Sequence, residues 1–133
     1  MAEGFARSYG SDVLQAQSAG LAPAMRVAPL TLKVMLEKNI DIGNLFPKDF
    51  KTMIGNADLV INMSGFELPV KPAVPVEHWE VRDPIGENEE VYREVRDLIE
   101  QRVMQLILGM RAHKQTKPAA SSKVDTRRRS LRQ

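Results

Sequence analysis

The sequence predicts an α/β domain with a mainly parallel sheet between layers of helices. The apolar run Asp-Leu-Val-Ile-Asn-Met at residues 58–63 is typical of a strand that is buried on both faces, as in parallel sheets. Segments with helical spacing of apolar residues also alternate with short strand-like segments over most of the chain. This alternation predicts right-handed crossover connections between parallel strands.

The first segments of the chain follow that alternation. Residues 2–9 are predicted to form a helix that Gly10 ends, and residues 12–20 form a short strand that leads into a glycine turn. Pro29 suits the first turn of the next helix, because its missing N–H is not needed there. Asn39 and the residues after it are expected to end this helix.

The middle of the chain is predicted to hold a third short helix, two strands and a loop. The short helix is expected to run from Pro47 to the neighbourhood of Gly55. After the apolar strand, residues 64–75 contain three prolines and a glycine, a composition typical of a loop. Residues 76–81 are predicted to form the next strand.

The clearest helix follows, with Asn88 as its predicted N-cap. Glu89 with Arg93 and Arg96 with Glu100 have the spacing of ion pairs on the solvent side of this helix. The opposite face carries an apolar stripe at helical spacing. Its members are Val91, Val95, Leu98, Ile99, Val103, Leu106, Ile107 and Met110.

The composition limits the chemistry that the chain supports. Its 133 residues, 43% of them hydrophobic, suffice for one domain with a core. It contains no cysteine, which excludes disulfides, thiolate metal sites and a cysteine nucleophile. His78 and His113 are too far apart in sequence for a metal site, and neither a metal nor a cofactor is expected. The sequence lacks a membrane-spanning run and a secretory signal pattern, so we expect a cytoplasmic protein and no membrane partner.

The charge divides the chain into two predicted regions. Residues 113–133 carry seven Lys or Arg and one Asp, a net charge of +6, whereas residues 1–112 have a net charge of −4. Because the basic segment has almost no large apolar residues, we expect 1–112 to be the domain and 113–133 a disordered basic tail. The run Arg-Arg-Arg-Ser-Leu-Arg lacks interleaved aromatic residues, and a nucleic-acid partner is not expected.

Candidate functional residues lie where the predicted strands end. Residues 18–20, residues 63–65 and Asp83 with Pro84 each follow or close a strand. In parallel sheets, ligand sites gather at the carboxyl ends of the strands. Polar loops occur at those ends in every α/β protein, so this placement alone does not specify a function.

Several segments in order resemble the low-molecular-weight protein tyrosine phosphatases and the arsenate reductases that share their fold. The resemblance covers about residues 1–111 and implies a flavodoxin-like topology. Its most specific part is Asp-Pro-x-Gly ahead of the helix Tyr-Arg-x-Val-Arg-Asp. The segments that carry it are residues 1–10, 18–21, 58–63, 78–86 and 92–103.

The resemblance also implies a missing catalytic segment. In that family a first, central strand leads into a loop with a Cys, five residues and an Arg, and the thiolate attacks phosphorus while the loop holds the phosphoryl oxygens. This sequence starts within the helix that follows the loop, and Arg7 lies too far along that helix to replace the loop arginine. Asp83 falls on the family's general acid, which protonates the departing oxygen. Its alternative interpretation is a turn residue at the end of a strand.

Two departures weaken particular activities. Ile85 and Gly86 stand where the eukaryotic-type phosphatases have aromatic residues that flank phosphotyrosine. Ser64 stands in the loop where thioredoxin-coupled arsenate reductases carry further cysteines, so a thiol relay is excluded.

Other candidate residues have simpler explanations. Ser64 with His78 lacks a nucleophile-elbow pattern. Trp79 is expected in the core, and Glu87, Glu89 and Glu90 are expected to form a solvated helix start.

Loss of a central strand would leave buried backbone groups unpaired, at about 1–3 kcal/mol each. Three remedies are open: a longer natural protein, direct pairing of the two flanking strands, or a strand supplied by a partner, as in a homodimer through the exposed sheet. The expected function is therefore a phosphatase-family protein that is inactive as written. The alternatives are a partner-binding pseudophosphatase and an arsenate-reductase-like relative. A phosphorylated protein or a small phosphate ester is the expected substrate only if an upstream segment exists.

Overall fold

A computed structural model describes residues 1–20, 28–45, 48–116 and 129–132. Its helices are α1 (Ala2–Gly10), α2 (Pro29–Leu36), α3 (Phe50–Met53) and α4 (Glu89–Thr116), with a 3-10 turn at Ile54–Asn56. Its strands are β1 (Ala16–Gly20), β2 (Lys48–Asp49), β3 (Leu59–Asn62), β4 (Val76–His78) and β5 (Arg129–Arg132). No helix in these ranges is long and apolar enough to cross a membrane.

The five strands form one sheet in the order β2-β1-β5-β3-β4, and every neighbouring pair is parallel. The predicted α/β class with a parallel sheet is thus confirmed. The run β1-β5-β3-β4 matches the flavodoxin-like order 2-1-3-4, with β5 in the position of the first strand. The central position, between β1 and β3, is therefore occupied by residues 129–132.

The register of β5 is fixed on both of its edges. Ser130 pairs with Gln17 of β1 and with Val60 of β3, and Leu131 pairs with Ser18 and Ile61. A strand in this position supplies partners for the backbone groups of both neighbours, which explains why a polar segment adopts a strand here.

The prediction of a disordered tail from residue 113 is therefore corrected where the structure describes the tail. α4 continues to Thr116, and residues 129–132 are β5. The rest of the predicted tail lies outside the described residues. The prediction considered only the tail's own apolar content and not the pairing that the sheet offers.

Helices cover the sheet on both faces. The larger core cluster joins α1, α2 and α4 to one face of the sheet and includes Phe5, Met35, Ile61 and Ile107. The smaller cluster lies on the other face and consists of Ala19, Phe50, Ala57 and Val60. Consecutive residues of β3 thus enter opposite cores, as expected for a strand buried on both faces.

Most predicted elements occur, with one shift among the helices. α1, α2, β1, β3 and β4 lie within or close to the predicted segments, and the side chain of Asn88 accepts the Val91 N–H at 3.1 Å as the predicted cap. The predicted helix from Pro47 instead begins at Phe50. It begins there because residues 48–49 pair with β1 as β2. Asp49 is the N-cap of the helix, and its side chain accepts the Lys51 N–H at 2.9 Å.

One predicted ion pair on α4 is wrong. Glu89 does contact Arg93, at 3.1 Å. Arg96, however, is buried and donates from Nη1 to the carbonyl of Val34 and to Glu37, at 3.0 and 2.6 Å. It lies between α4 and α2 rather than on the solvent side.

Candidate functional site

The carboxyl ends of four strands meet at one edge of the sheet. Arg132, at the end of β5, is in register with Ala19 of β1 and with Asn62 of β3, and Asn62 is in turn in register with His78 of β4. The loops that follow β3 and β4 therefore start side by side. This edge is where the sequence predicted the candidate site.

Asn62 organises the loop after β3. Its side chain is buried, its Nδ2 donates to the Phe66 carbonyl at 2.8 Å, and its Oδ1 accepts the Ser64 N–H at 2.9 Å. The Ser64 hydroxyl donates to the same Oδ1 at 2.6 Å, and it accepts the Phe66 N–H at 3.2 Å. The hydroxyl of Ser64 thus shapes a turn.

Asp83 lies in a tight exposed turn after β4. Its Oδ1 accepts the Ile85 N–H at 3.0 Å, and the Glu87 N–H donates to the Pro84 carbonyl at 2.9 Å. Gly86 has a φ of 83°, a conformation that glycine adopts without strain. This geometry fits the turn-residue interpretation of Asp83. It also holds the carboxylate in solvent, where a second oxygen remains for other contacts.

An open cavity of about 550 Å³ lies between these two loops. Both loops contribute polar and apolar residues to its lining. Phe66 is 73% exposed, a high value for a large apolar side chain. The full lining is Asn62, Met63, Gly65, Phe66, Glu67, His78, Trp79, Glu80, Val81 and Arg82.

His78, the last residue of β4, and Trp79, which follows it, have different environments. His78 is exposed at the end of the strand, whereas Trp79 is buried in the larger core cluster, as predicted. In the part of the chain that the structure describes, no group of three His, Asp or Glu is placed to hold a metal ion.

The start of α1 is joined to β1 by a buried carboxylate. Glu3 is 3% exposed, and its Oε1 accepts the Ser18 N–H at 3.1 Å. Its Oε2 accepts from Arg7 Nε at 2.6 Å. Arg7 is thus paired with a carboxylate of its own helix.

Sequence reasoning identified Asp83, Ser64 and residues 18–20 but did not identify Asn62 or Glu3. Asn62 is the only polar residue inside the apolar stretch Leu59–Met63, and that position was the available signal. Glu3 has no comparable signal, because its partner Ser18 belongs to a different element and is brought near only by the fold.

Comparison with known proteins identifies relatives over most of the chain. The family model described as "Low molecular weight phosphotyrosine protein phosphatase" matches residues 1–69. The "Glutaredoxin arsenate reductase" of Synechocystis sp. is 33% identical over 112 residues, which cover 80% of this chain and 85% of that protein. An "Arsenate reductase" of Bacillus cereus is 34% identical over 108 residues, which cover 77% of this chain and 80% of that protein.

A solved structure agrees with these relatives. It is described as an arsenate reductase in the reduced state, and it matches with a TM-score of 0.73 and 32% identity over 82% of this chain and 86% of its own. The predicted resemblance and flavodoxin-like fold are therefore confirmed. This chain belongs to the low molecular weight phosphotyrosine protein phosphatase family and is similar to its arsenate reductases.

Proposed function

We propose that these 133 residues form a non-catalytic, cytoplasmic member of the family that acts by binding a partner. The observation that carries the proposal is that the sequence contains no cysteine. The family's reaction, as the resemblance implies it, forms a bond between a cysteine sulfur and phosphorus. Without the sulfur, a general acid has no intermediate to which it can contribute a proton.

Arsenate reduction meets the same obstacle. Conversion of arsenate to arsenite requires two electrons, which a pair of thiols supplies as they form a disulfide. This chain offers no thiol for that step. Similarity to arsenate reductases therefore supports a common scaffold, and we do not extend their activity to this chain as written.

The position of β5 in the fold also supports the proposal. Residues 129–132 pair with both β1 and β3, where the family's nucleophile-bearing strand is expected. A strand supplied from elsewhere, followed by a phosphate-binding loop, would have to displace β5 from this position.

A second function is phosphate-monoester hydrolysis or arsenate reduction by a longer protein with an upstream Cys-x5-Arg segment. The observation that favours it is that Asp83 has the family's sequence context and directly follows Arg82, which lines the cavity at the carboxyl edge of the sheet. Asp83 would then be the general acid, and a phosphorylated protein or a small phosphate ester would be the substrate. Reading the DNA upstream of Met1 in frame tests whether such a segment is encoded.

The activity of the chain itself is tested with p-nitrophenyl phosphate, and with arsenate in the presence of glutathione and glutaredoxin. Asp83→Asn and Asp41→Asn are a matched pair, because Asp41 also accepts the N–H two residues on, from Gly43 at 2.8 Å. We expect no turnover by the parent chain or by either variant. Turnover that Asp83→Asn abolishes and Asp41→Asn preserves would overturn the proposal.

A further inference from the structure

We propose that the position between β1 and β3 is a binding site for an extended apolar segment of another polypeptide, and that residues 129–132 are its replaceable resident. This site is called the strand slot below. The catalytic state of the chain does not affect the existence of the slot, and only its biological use rests on the proposed partner-binding function.

The walls of the strand slot are the strands β1 and β3, which are buried in part and in full, respectively. All four residues of β3 are buried, and Val60 and Ile61 have no exposed surface. On the other side, Ala16 and Ala19 of β1 are 4% and 1% exposed. Four residues of the resident strand pair with each wall in parallel register. The slot therefore selects a parallel extended segment of at least four residues.

The two core clusters define what such a segment should contain. Ile61 belongs to the core beneath α1 and α4, and Val60 belongs to the core beneath α3. A strand between β1 and β3 passes between these two apolar layers. Strands in such positions are usually near-continuous runs of Val, Ile and Leu, since burial of apolar surface stabilises them.

The resident sequence does not meet that requirement. Residues 129–132 are Arg-Ser-Leu-Arg, with one apolar residue in four positions. Serine and arginine also lack the β-branched or aromatic side chains that favour strands. An apolar segment would make the same backbone ladder and bury more apolar surface, so its intrinsic affinity for the slot should exceed that of the resident.

The resident has one compensating advantage, which is its covalent connection through residues 117–128. A covalent link makes the pairing of the resident an intramolecular step, so it does not depend on protein concentration. The resident is therefore expected to compete with a free segment, and weakening the resident should strengthen partner binding. Binding through backbone pairing with apolar selection is a general mode of peptide recognition, applied here to a central position of a sheet rather than to an edge.

The test uses three fluorescent peptides of equal length: Lys-Val-Val-Ile-Val-Lys, a Lys-Ser-Thr-Ser-Thr-Lys control, and the apolar peptide with its third residue changed to Pro. Each is titrated into the full chain and into Ser130→Pro, with Ser130→Ala as the matched control. We expect saturable binding of the apolar peptide alone, tighter by about tenfold or more for Ser130→Pro than for the other two proteins. Peptide binding should change the NMR signals of the Ser18 and Ile61 amides.

Two results would overturn the proposal. One is equal binding of the apolar and Pro-containing peptides, or no binding of either to the full chain at millimolar peptide. The other is a signal change confined to the sheet edges at β2 and β4. Because the full chain is itself titrated, failure of Ser130→Pro to fold leaves the test intact. Exchange of the resident between two copies would appear as dimerisation of the full chain without peptide binding, which also contradicts the proposal. The assay has no catalytic readout, so its failure is distinct from a failure of the proposed function.

Discussion

Leu131 pairs with Ile61 in the centre of the sheet, although the two residues belong to opposite parts of the sequence. Ile61 has no exposed surface and lies in an apolar run, whereas Leu131 lies in a basic segment. Their pairing makes the sheet continuous from β2 to β4.

Ser130→Pro should destabilise the domain, because proline removes an N–H from a strand that is paired on both edges. We expect a loss of about 1–3 kcal/mol in the free energy of unfolding, the usual effect of leaving a buried acceptor unpaired. Ser130→Ala retains the N–H and should change stability much less. Urea unfolding followed by circular dichroism measures both variants. Equal stability of the Pro and Ala variants would show that this strand contributes nothing to the fold.

Arg96→Leu should destabilise the contact between α2 and α4. The guanidinium is buried and donates to the carbonyl of Val34, so its removal leaves that acceptor unpaired at about 1–3 kcal/mol. Arg93→Leu is the matched control, because Arg93 also contacts Glu37 but is about one-third exposed. Thermal unfolding should show a clearly larger loss for Arg96→Leu than for Arg93→Leu, and the reverse order would refute the assignment.

The stabilising contribution of Glu37 should be present near neutral pH and lost in acid. Hydrogen bonds from Arg93, and then from Arg96, lower the pKa of Glu37 from its ordinary value of 4.5 to about 2. A depressed carboxyl pKa stabilises the folded state fully above the unfolded value, and this contribution is lost as the pH falls from about 4.5 towards 2. Glu37→Gln should therefore flatten the stability curve in that window, measured by urea unfolding at several pH values. Glu94→Gln, an exposed change on α4, should leave the curve as it is; identical curves for parent and Glu37→Gln would contradict the pairing.

Glu3→Ala should weaken the contact between α1 and β1 and lower the free energy of unfolding. The buried carboxylate accepts the N–H of Ser18, and alanine leaves that donor unpaired at about 1–3 kcal/mol. Glu3→Gln keeps an oxygen for the same donor and should lose less. Arg7→Ala removes the other, half-exposed partner and should also lose less. Chemical denaturation measures the three variants. If Arg7→Ala lost the most stability, the contact that stabilises this region would be the one made by Arg7 and not the one between Glu3 and Ser18.

The sequence predicted the elements whose signal is local. The apolar run that became β3 and the Asn88 cap of α4 each carry their structure within a few residues. Arg96 was misplaced because helical spacing shows which residues share a face but not which neighbouring element covers that face. β5 was missed for a similar reason, since Arg-Ser-Leu-Arg has no strand pattern and its structure depends on pairing with β1 and β3.

The candidate site likewise has features that local sequence predicted and features that only the fold creates. Asp83 was located from its sequence context, and the turn that it forms with Ile85 is local. The cavity that Arg82 lines requires the loops after β3 and β4 to meet, which follows from the register of Asn62 with His78. No spacing in the sequence encodes that register.

Amide hydrogen exchange of the full chain, followed by NMR, tests the central claim most directly. If residues 129–132 form the middle strand, the Ser130 and Leu131 amides should be protected to a degree similar to those of Val60 and Ile61. Exchange of Ser130 and Leu131 at the rate of an unfolded peptide, while Val60 and Ile61 remain protected, would contradict it.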